Sequence, residues 1–183
     1  MTDYIQDNYN KLELVPLIPH SIVAYLIDNN ELLFKLLKYN TADAWSSSNA
    51  NLTREEKGLL IYDGIKKVED CRIFLDTGQD SAITSQISSL RISVVDYVPY
   101  NHVIGYCVIG VEVYCHYLIN TLSDYTLRCD RIMQQVISTI NGADIPNTSR
   151  LYFDASKNSK ARLSTIGTSP YKGKLAILST WAK

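Results

Sequence analysis

The chain has 183 residues, of which 46% are hydrophobic and 20% charged, a composition that excludes an intrinsically disordered protein. Eighteen Lys and Arg against nineteen Asp and Glu leave a formal net charge of −1, so no global field attracts a polyanion or an anionic membrane. This length suits one well-buried core of about 100–150 residues or slightly more. The expected organisation is an N-terminal arm, residues 1–19, and a single α+β domain, residues 20–183, helical over 20–65 and sheet-plus-helix over 66–183.

The opening Met1-Thr2-Asp3-Tyr4-Ile5-Gln6-Asp7 lacks the basic start and apolar run of a secretory signal. No stretch reaches the roughly 18 apolar residues of a membrane span. The expectation is a protein soluble where it is made, without a membrane partner. The arm carries Leu12, Leu14, Val15, Leu17 and Ile18, rather apolar for a solvated tail, and reads either as a loose terminus or as a segment lying on a neighbouring subunit. Pro19 is placed to precede a helix start.

A short apolar helix is predicted over 21–27. A second begins at Glu31 with the stripe Leu32, Leu33, Leu36, Leu37 and with Lys35 and Lys38 on its other side. Ser46-Ser47-Ser48-Asn49-Ala50-Asn51 marks a loop. Thr53 with Glu56 three residues on is a capping box for a short helix that Gly58 weakens and Gly64 ends. Past residue 65 the hydrophobic period changes to two. Strands are predicted over 71–75 and 91–97, separated by a polar loop over 76–89. Residues 98–105 make an antiparallel return.

The next strand, 106–117, is the clearest, with Cys107, Ile109, Val111, Val113, Cys115 and Tyr117 on the core face and Val108, Gly110, Glu112, Tyr114 and His116 on the other. An amphipathic helix is predicted over 124–140, with Ser123 as N-cap, Leu122 and Leu127 as hydrophobic staple, and Asp124 in the first turn. Its apolar stripe is Cys129, Ile132, Met133, Val136, Ile137 and Ile140, and Gly142 stops it. Three short strands follow, over 150–153, 161–166 and 174–178. The resulting fold class is α+β: N-terminal helices, then a mostly antiparallel sheet with one long helix packed on it.

Chemistry is sparse. Cys71, Cys107, Cys115 and Cys129 stand singly, with no C-x-x-C pair, and read as four free thiols. The histidines are His20, His102 and His116. Cys115 and His116 point to opposite faces of their strand, and Cys107 and Cys115 lie roughly 26 Å apart along it, so neither pair holds an ion. No nucleophile elbow, phosphate-binding loop or dinucleotide turn is present. No catalytic residue, cofactor or metal is therefore expected, and the protein reads as a non-enzyme. Lys157, Lys160, Arg162, Lys172 and Lys174, with Tyr152 and Tyr171 among them, form either a solvated hairpin or a local positive surface for a phosphate backbone or an acidic partner. Thirteen tyrosines suit subunit contacts, or simply strands.

The run Val111-Glu112-Val113-Tyr114-Cys115-His116-Tyr117, followed by Arg128-x-Asp130-Arg131-Ile132 opening a helix that ends at Ile140-Asn141-Gly142, and then by Tyr171-Lys172-Gly173-Lys174, resembles the neck proteins of tailed bacteriophages: head-to-tail connectors, stoppers and tail terminators. The segment Leu36-Leu37-Lys38-Tyr39-Asn40-Thr41-Ala42-Asp43-Ala44 resembles the start of such proteins. The resemblance covers roughly residues 32–181 and does not include the arm. It implies a non-enzymatic virion protein, made in the host cytoplasm, that forms a homo-oligomeric ring between portal and tail. Its partners would be the portal or an adaptor, tail or other neck proteins, and the DNA passing through its lumen. Leu12, Leu14, Val15, Leu17, Ile18, Tyr171, Lys172 and Lys174 are the candidate subunit-interface residues. The alternatives are a small intracellular enzyme with a pocket in the 76–89 and 98–105 loops, and a nucleic-acid-binding module using the C-terminal basic and Tyr group.

Overall fold

The computed structural model describes residues 14–77, 85–100, 105–154, 156, 160–167 and 169–182. Its helices are α1 (Ile18–Asn29), α2 (Glu31–Lys38), α3 (Arg54–Leu59) and α4 (Arg128–Ile140), and its strands are β1 (Ile73–Phe74), β2 (Ser88–Pro99), β3 (Gly105–His116), β4 (Arg162–Ile166) and β5 (Tyr171–Ala182). The strands form one sheet in the order β1-β2-β3-β5-β4. Of these four strand pairs, β1–β2 is parallel and the other three are antiparallel. The α+β class expected from the change of period is the one observed.

The register explains where the core lies. Leu90, Ile92 and Val94 stand opposite Val113, Val111 and Ile109, which in turn stand opposite Lys174, Ala176 and Leu178. Directly opposed residues share a face, so this set, Lys174 apart, forms one apolar layer, and α1, α2 and α4 cover it. Ile22, Leu26, Leu33, Leu37, Ile132 and Val136 join that layer in a single buried cluster. At roughly 1.5–3 kcal/mol for each fully buried aliphatic side chain, this cluster is the main favourable contribution to folding.

Several expected boundaries move. Pro19 lies inside the first turn of α1, not before it, and the helix runs to Asn29. Asn30 then caps α2, its Oδ1 accepting from Leu33 N–H at 2.8 Å, while its Nδ2 donates to Thr139 Oγ1 on α4 at 2.6 Å. Lys35 is buried instead of facing solvent, and its Nζ donates to the Asn49 carbonyl at 2.7 Å. The Thr53–Glu56 capping box forms as expected. Gly64 sits beyond the end of α3, in a turn at φ +86°.

The sheet also differs in extent. The predicted strand over 71–75 shrinks to Ile73–Phe74, whereas β2 begins at Ser88, inside the stretch expected to be loop. Residues 78–84 of that loop and residues 101–104 of the return lie outside the described residues. Tyr117 leaves the sheet for a 3-10 turn, Tyr117–Ile119, and is exposed instead of joining the core face. On the opposite face, Val108, Tyr114 and His116 are buried as well. The predicted 150–153 strand is a single bridge, Tyr152 to Ser179. In contrast, β5 extends to twelve residues, because Ser179, Thr180 and Trp181 find partners on β3 and on the 149–152 segment.

The largest correction concerns α4, which starts at Arg128 rather than Asp124. Tyr125 adopts φ 63°, a left-handed conformation that no helical residue takes. Residues 121–127 instead form a closed knuckle: Leu122 N–H donates to Thr126 O at 2.9 Å, and Thr121 bridges Leu127. The cap comes from Asn120, whose Oδ1 accepts from Cys129 N–H at 3.0 Å and whose carbonyl accepts from Arg128 N–H at 2.7 Å. Ser123 makes no cap, and Leu122 and Leu127 form no staple, since one is buried and the other exposed. The Asn120→Ala variant should therefore lose about 1 kcal/mol of stability, the usual worth of a helix cap. Ser123→Ala should stay within about 0.5 kcal/mol. Urea unfolding followed by circular dichroism separates the two.

Candidate assembly surface and its supporting cluster

The residues that carry the phage resemblance converge in space. Arg128 is the largest fully buried side chain, at 0% exposure. Among the described residues no carboxylate pairs with its guanidinium, which donates to four backbone carbonyls: Nε to Ile119 at 2.8 Å, Nη1 to Leu36 at 2.9 Å and Tyr39 at 2.6 Å, and Nη2 to Thr41 at 2.6 Å. Leu36 lies in the last turn of α2 and Tyr39 is its C-cap residue. Their carbonyls are among those a helix end leaves without partners and where its dipole is negative. Burial lowers the Arg128 pKa.

Asp130, on the same first turn, pairs with Lys174 of β5 at 3.0 Å. Two residues upstream of Gly173, the ring of Tyr171 packs edge-on against His116 at 5.5 Å, and its hydroxyl donates to Ser85 O at 2.6 Å. Gly173 is required where it stands, because a Cβ there would collide with the Val113 carbonyl. The end of β3, the start of α4 and the β4–β5 hairpin are thus held as one unit. Sequence separation hides this: the Arg128 contacts to Leu36, Tyr39 and Thr41 span 87 to 92 residues.

Against this unit the candidate interface residues sort unevenly. Leu12 lies outside the described residues. Leu14 and Val15 are half-buried and Leu17 is exposed, but Ile18 belongs to the core. Tyr171 is likewise buried against His116, so Ile18 and Tyr171 are not available for subunit contact. Lys172 is exposed, and Lys174 is engaged with Asp130. The basic group is also divided. Lys172 and Lys174 stand opposite Cys115 and Val113 on the helix-covered face, whereas Arg162 stands opposite Ile177 on the other. Lys160 pairs with Asp96. The group is not one positive surface, and Lys157 lies outside the described residues.

What the sequence did not single out is a set of exposed apolar side chains at each end of the sheet. At the His116 end, Tyr117, Leu118, Tyr125 and Leu127 are exposed, with Tyr125 at 91%. The knuckle that presents Tyr125 is rigidly tied: Asp124 accepts from the Thr126 hydroxyl at 2.6 Å, from Thr126 N–H at 3.0 Å and from Arg131 at 2.6 Å. At the Gly105 end, Trp181 packs edge-on against both Tyr106 and Tyr100, at 5.3 and 5.8 Å, and Val98 is exposed. Twelve residues of β3 separate the two sets, roughly 37 Å at strand rise. Apolar sets at two distant ends suit contacts with two different neighbours.

Among the described residues no group of three or more His, Cys, Asp and Glu is placed to hold a metal ion, and no helix is long and apolar enough to cross a membrane. The four cysteines are free and buried, and burial pushes the Cys115 thiol up to about 12, so it stays protonated at neutral pH.

Fold and motif cluster together define an α+β protein whose mostly antiparallel sheet is covered on one face by N-terminal helices and an R-x-D helix. The chain belongs to the YomW family, whose model matches residues 30–167. That family name is a phage-derived one, of the Bacillus phage SPBeta kind. Among curated proteins, none matches the chain.

Two outcomes test the cluster. Arg128→Met leaves four carbonyls without their donor, those of Ile119 and Leu36 fully buried, and should cost about 3 kcal/mol or more, whereas Arg131→Met, at a partly exposed pair, should cost under about 1 kcal/mol; chemical denaturation reads both. The hydroxyl and amide of Thr126, then Arg131, hold the Asp124 carboxyl at about 2, against about 3.9 for an ordinary Asp. A lowered folded-state pKa stabilises above the unfolded value, and that contribution is lost as pH falls through the folded one. Melting temperature should therefore drop between about pH 4 and pH 2 in the parent protein, and Asp124→Asn should flatten that limb.

Proposed function

We propose that this chain is a structural subunit of a bacteriophage neck ring, joining the portal and capsid to the tail and lining or sealing the DNA channel. The observation that carries the reading is the convergence of three of the four resembling segments on one unit, to which Arg128 ties the fourth. The His116–Tyr171 contact joins the strand end to the Tyr171–Lys174 turn, and the Asp130–Lys174 pair joins that turn to the R-x-D helix. Motifs scattered by chance would have no reason to meet. The phage-derived family name supports the same direction.

The apolar sets at the two ends of the sheet fit a subunit with neighbours on both sides, since a cyclic assembly needs two different complementary surfaces on each copy. Near-neutral charge fits a lumen through which DNA slides without being held. In this reading the protein is a virion component without catalytic activity, cofactor or metal. It is made in the host cytoplasm, and its partners are its own copies, the portal or an adaptor, tail or other neck proteins, and passing DNA. Light scattering and negative-stain electron microscopy of the protein with its portal test this directly. A closed ring on the portal is the expected outcome; a chain that stays monomeric with portal present overturns it.

A further inference from the structure

The sheet has an unpaired edge on each side, and the two are unlike. On one side, β4 is five residues long and, among the described residues, pairs only with β5. Its Arg162, Leu163 and Thr165 are exposed, Leu163 at 53%. The strand carries no Pro, Lys or bulge, the devices that usually protect an edge. On the other side, β1 covers β2 only at Leu90 and Arg91. The stretch from Ser93 to Val98 therefore has β3 along one side and, among the described residues, no strand along the other. Beside it runs a groove of about 710 Å³, lined by residues 93–97 and by Val15, Pro19, Leu75 and Asp76 among others.

These two edges match in direction, face and charge. The β2–β3, β3–β5 and β5–β4 pairs are all antiparallel, so β2 and β4 run in opposite directions. Copies repeated without inversion would thus bring β4 of one to β2 of the next as an antiparallel pair, with their helix-covered faces aligned. On β2, Val94 and Tyr97 lie on that face with Ile109 and Cys107, and Asp96 and Val98 lie on the other with Val108 and Tyr106. A register shift between Val94 and Asp96 accounts for the change of parity. On β4, Leu163 and Thr165 lie on the helix-covered face, and Arg162 and Ser164 on the other. With Thr165 opposite Val94 and Leu163 opposite Tyr97, Leu163 enters the apolar side of the groove. Arg162 then stands diagonal to Asp96 on the uncovered face, within reach of a long side chain. Arg162 is the one charge on β4 and has no ion pair among the described residues, whereas the charged residues lining the groove are Asp76 and Asp96. Asp96 accepts from Lys160, yet its side chain remains 42% exposed, which leaves carboxylate lone pairs for a second donor. A β4 pairing with another β4 would offer Arg162 no carboxylate from the strand.

We propose that β4 of one copy adds to residues 93–98 of β2 of the next, so that the sheet continues from subunit to subunit. This rests on the ring reading above and supplies the unlike, repeatable contact that ring closure needs.

Disulfide trapping between full-length chains tests the contact. Within one chain β3 and β5 stand between β2 and β4, a gap of roughly 14 Å, beyond the reach of a disulfide. The four native thiols are buried. A Thr165→Cys chain is mixed with a Val94→Cys chain under mild oxidation, with and without portal, and linked pairs are counted on a non-reducing gel. Pairs joining the two different chains are expected, as they are when Leu163→Cys is mixed with Tyr97→Cys. Arg162→Glu on the β4 chain should lower the yield about tenfold, and Lys172→Glu, on the helix-covered face, should leave it unchanged. Absence of such pairs from both mixtures overturns the proposal. So does a Thr165→Cys chain that links to itself at equal yield, the mark of β4 on β4, or a yield indifferent to Arg162→Glu. Linked copies without a ring on the portal would leave the edge contact standing and remove the ring reading; a ring on the portal without the link would do the reverse.

Discussion

A guanidinium sealed inside the protein and held by backbone carbonyls organises the rest of the structure. Removing a cation from water costs several kcal/mol even after relaxation, and Arg128 offsets that cost with four carbonyl acceptors instead of an opposite charge. Two come from the end of α2, one from residue 41 beyond it and one from the turn after β3. All four must be in place together, because a fork with one acceptor missing leaves a buried N–H unsatisfied. The positions of α2, of the 117–119 turn and of α4 are therefore not three independent choices. They are set by one side chain whose alternative is an unpaired buried charge.

From that point the constraint passes outward. Asn120, immediately after the turn, caps α4 through its side chain and receives Arg128 N–H on its carbonyl, so the helix begins where Arg128 is held. With the helix start located, Asp130 faces Lys174, and β5 is tied to α4 as well as to β3. The six residues between Asn120 and Leu127 then have nowhere to go but outward. They close into the knuckle that carries Tyr125 at positive φ into solvent. A left-handed Tyr costs roughly 1–2 kcal/mol, and the Asp124 hydrogen bonds to Thr126 and Arg131 hold it there.

Legibility in the sequence followed the range of the interaction. The period-two run of β3, the stripe of α2 and the Thr53–Glu56 capping box depend on neighbours within a few residues, and each was readable. The start of α4 was misread because Ser123 satisfies the local rule for a cap, while the real acceptor, Asn120, works across a folded loop that only the left-handed Tyr125 permits. Lys35 looked like a solvated base and is buried, because its partner carbonyl lies fourteen residues away. The same limit applies to the candidate interface. Ile18 and Tyr171 were apolar or aromatic and so fitted a contact surface, but whether such a side chain faces a neighbour or its own core is a question of tertiary packing.

Arg128, Asp130, Tyr171 and Gly173 suggested a function, yet each of them is engaged inside the fold: as a clamp, a tie, a packed ring and a close backbone approach. Motifs of this kind specify how the chain folds, and they point to a function only through the company a fold keeps. The exposed apolar parts lie elsewhere: the knuckle at one end of the sheet, the Trp181 cluster at the other, and Leu163 on β4, the strand that ends the sheet among the described residues. A buried clamp tolerates little change, because every partner is a backbone atom already committed. Exposed ends and edges can vary without disturbing it. One scaffold held in this way can therefore keep its fold while its exposed surfaces change.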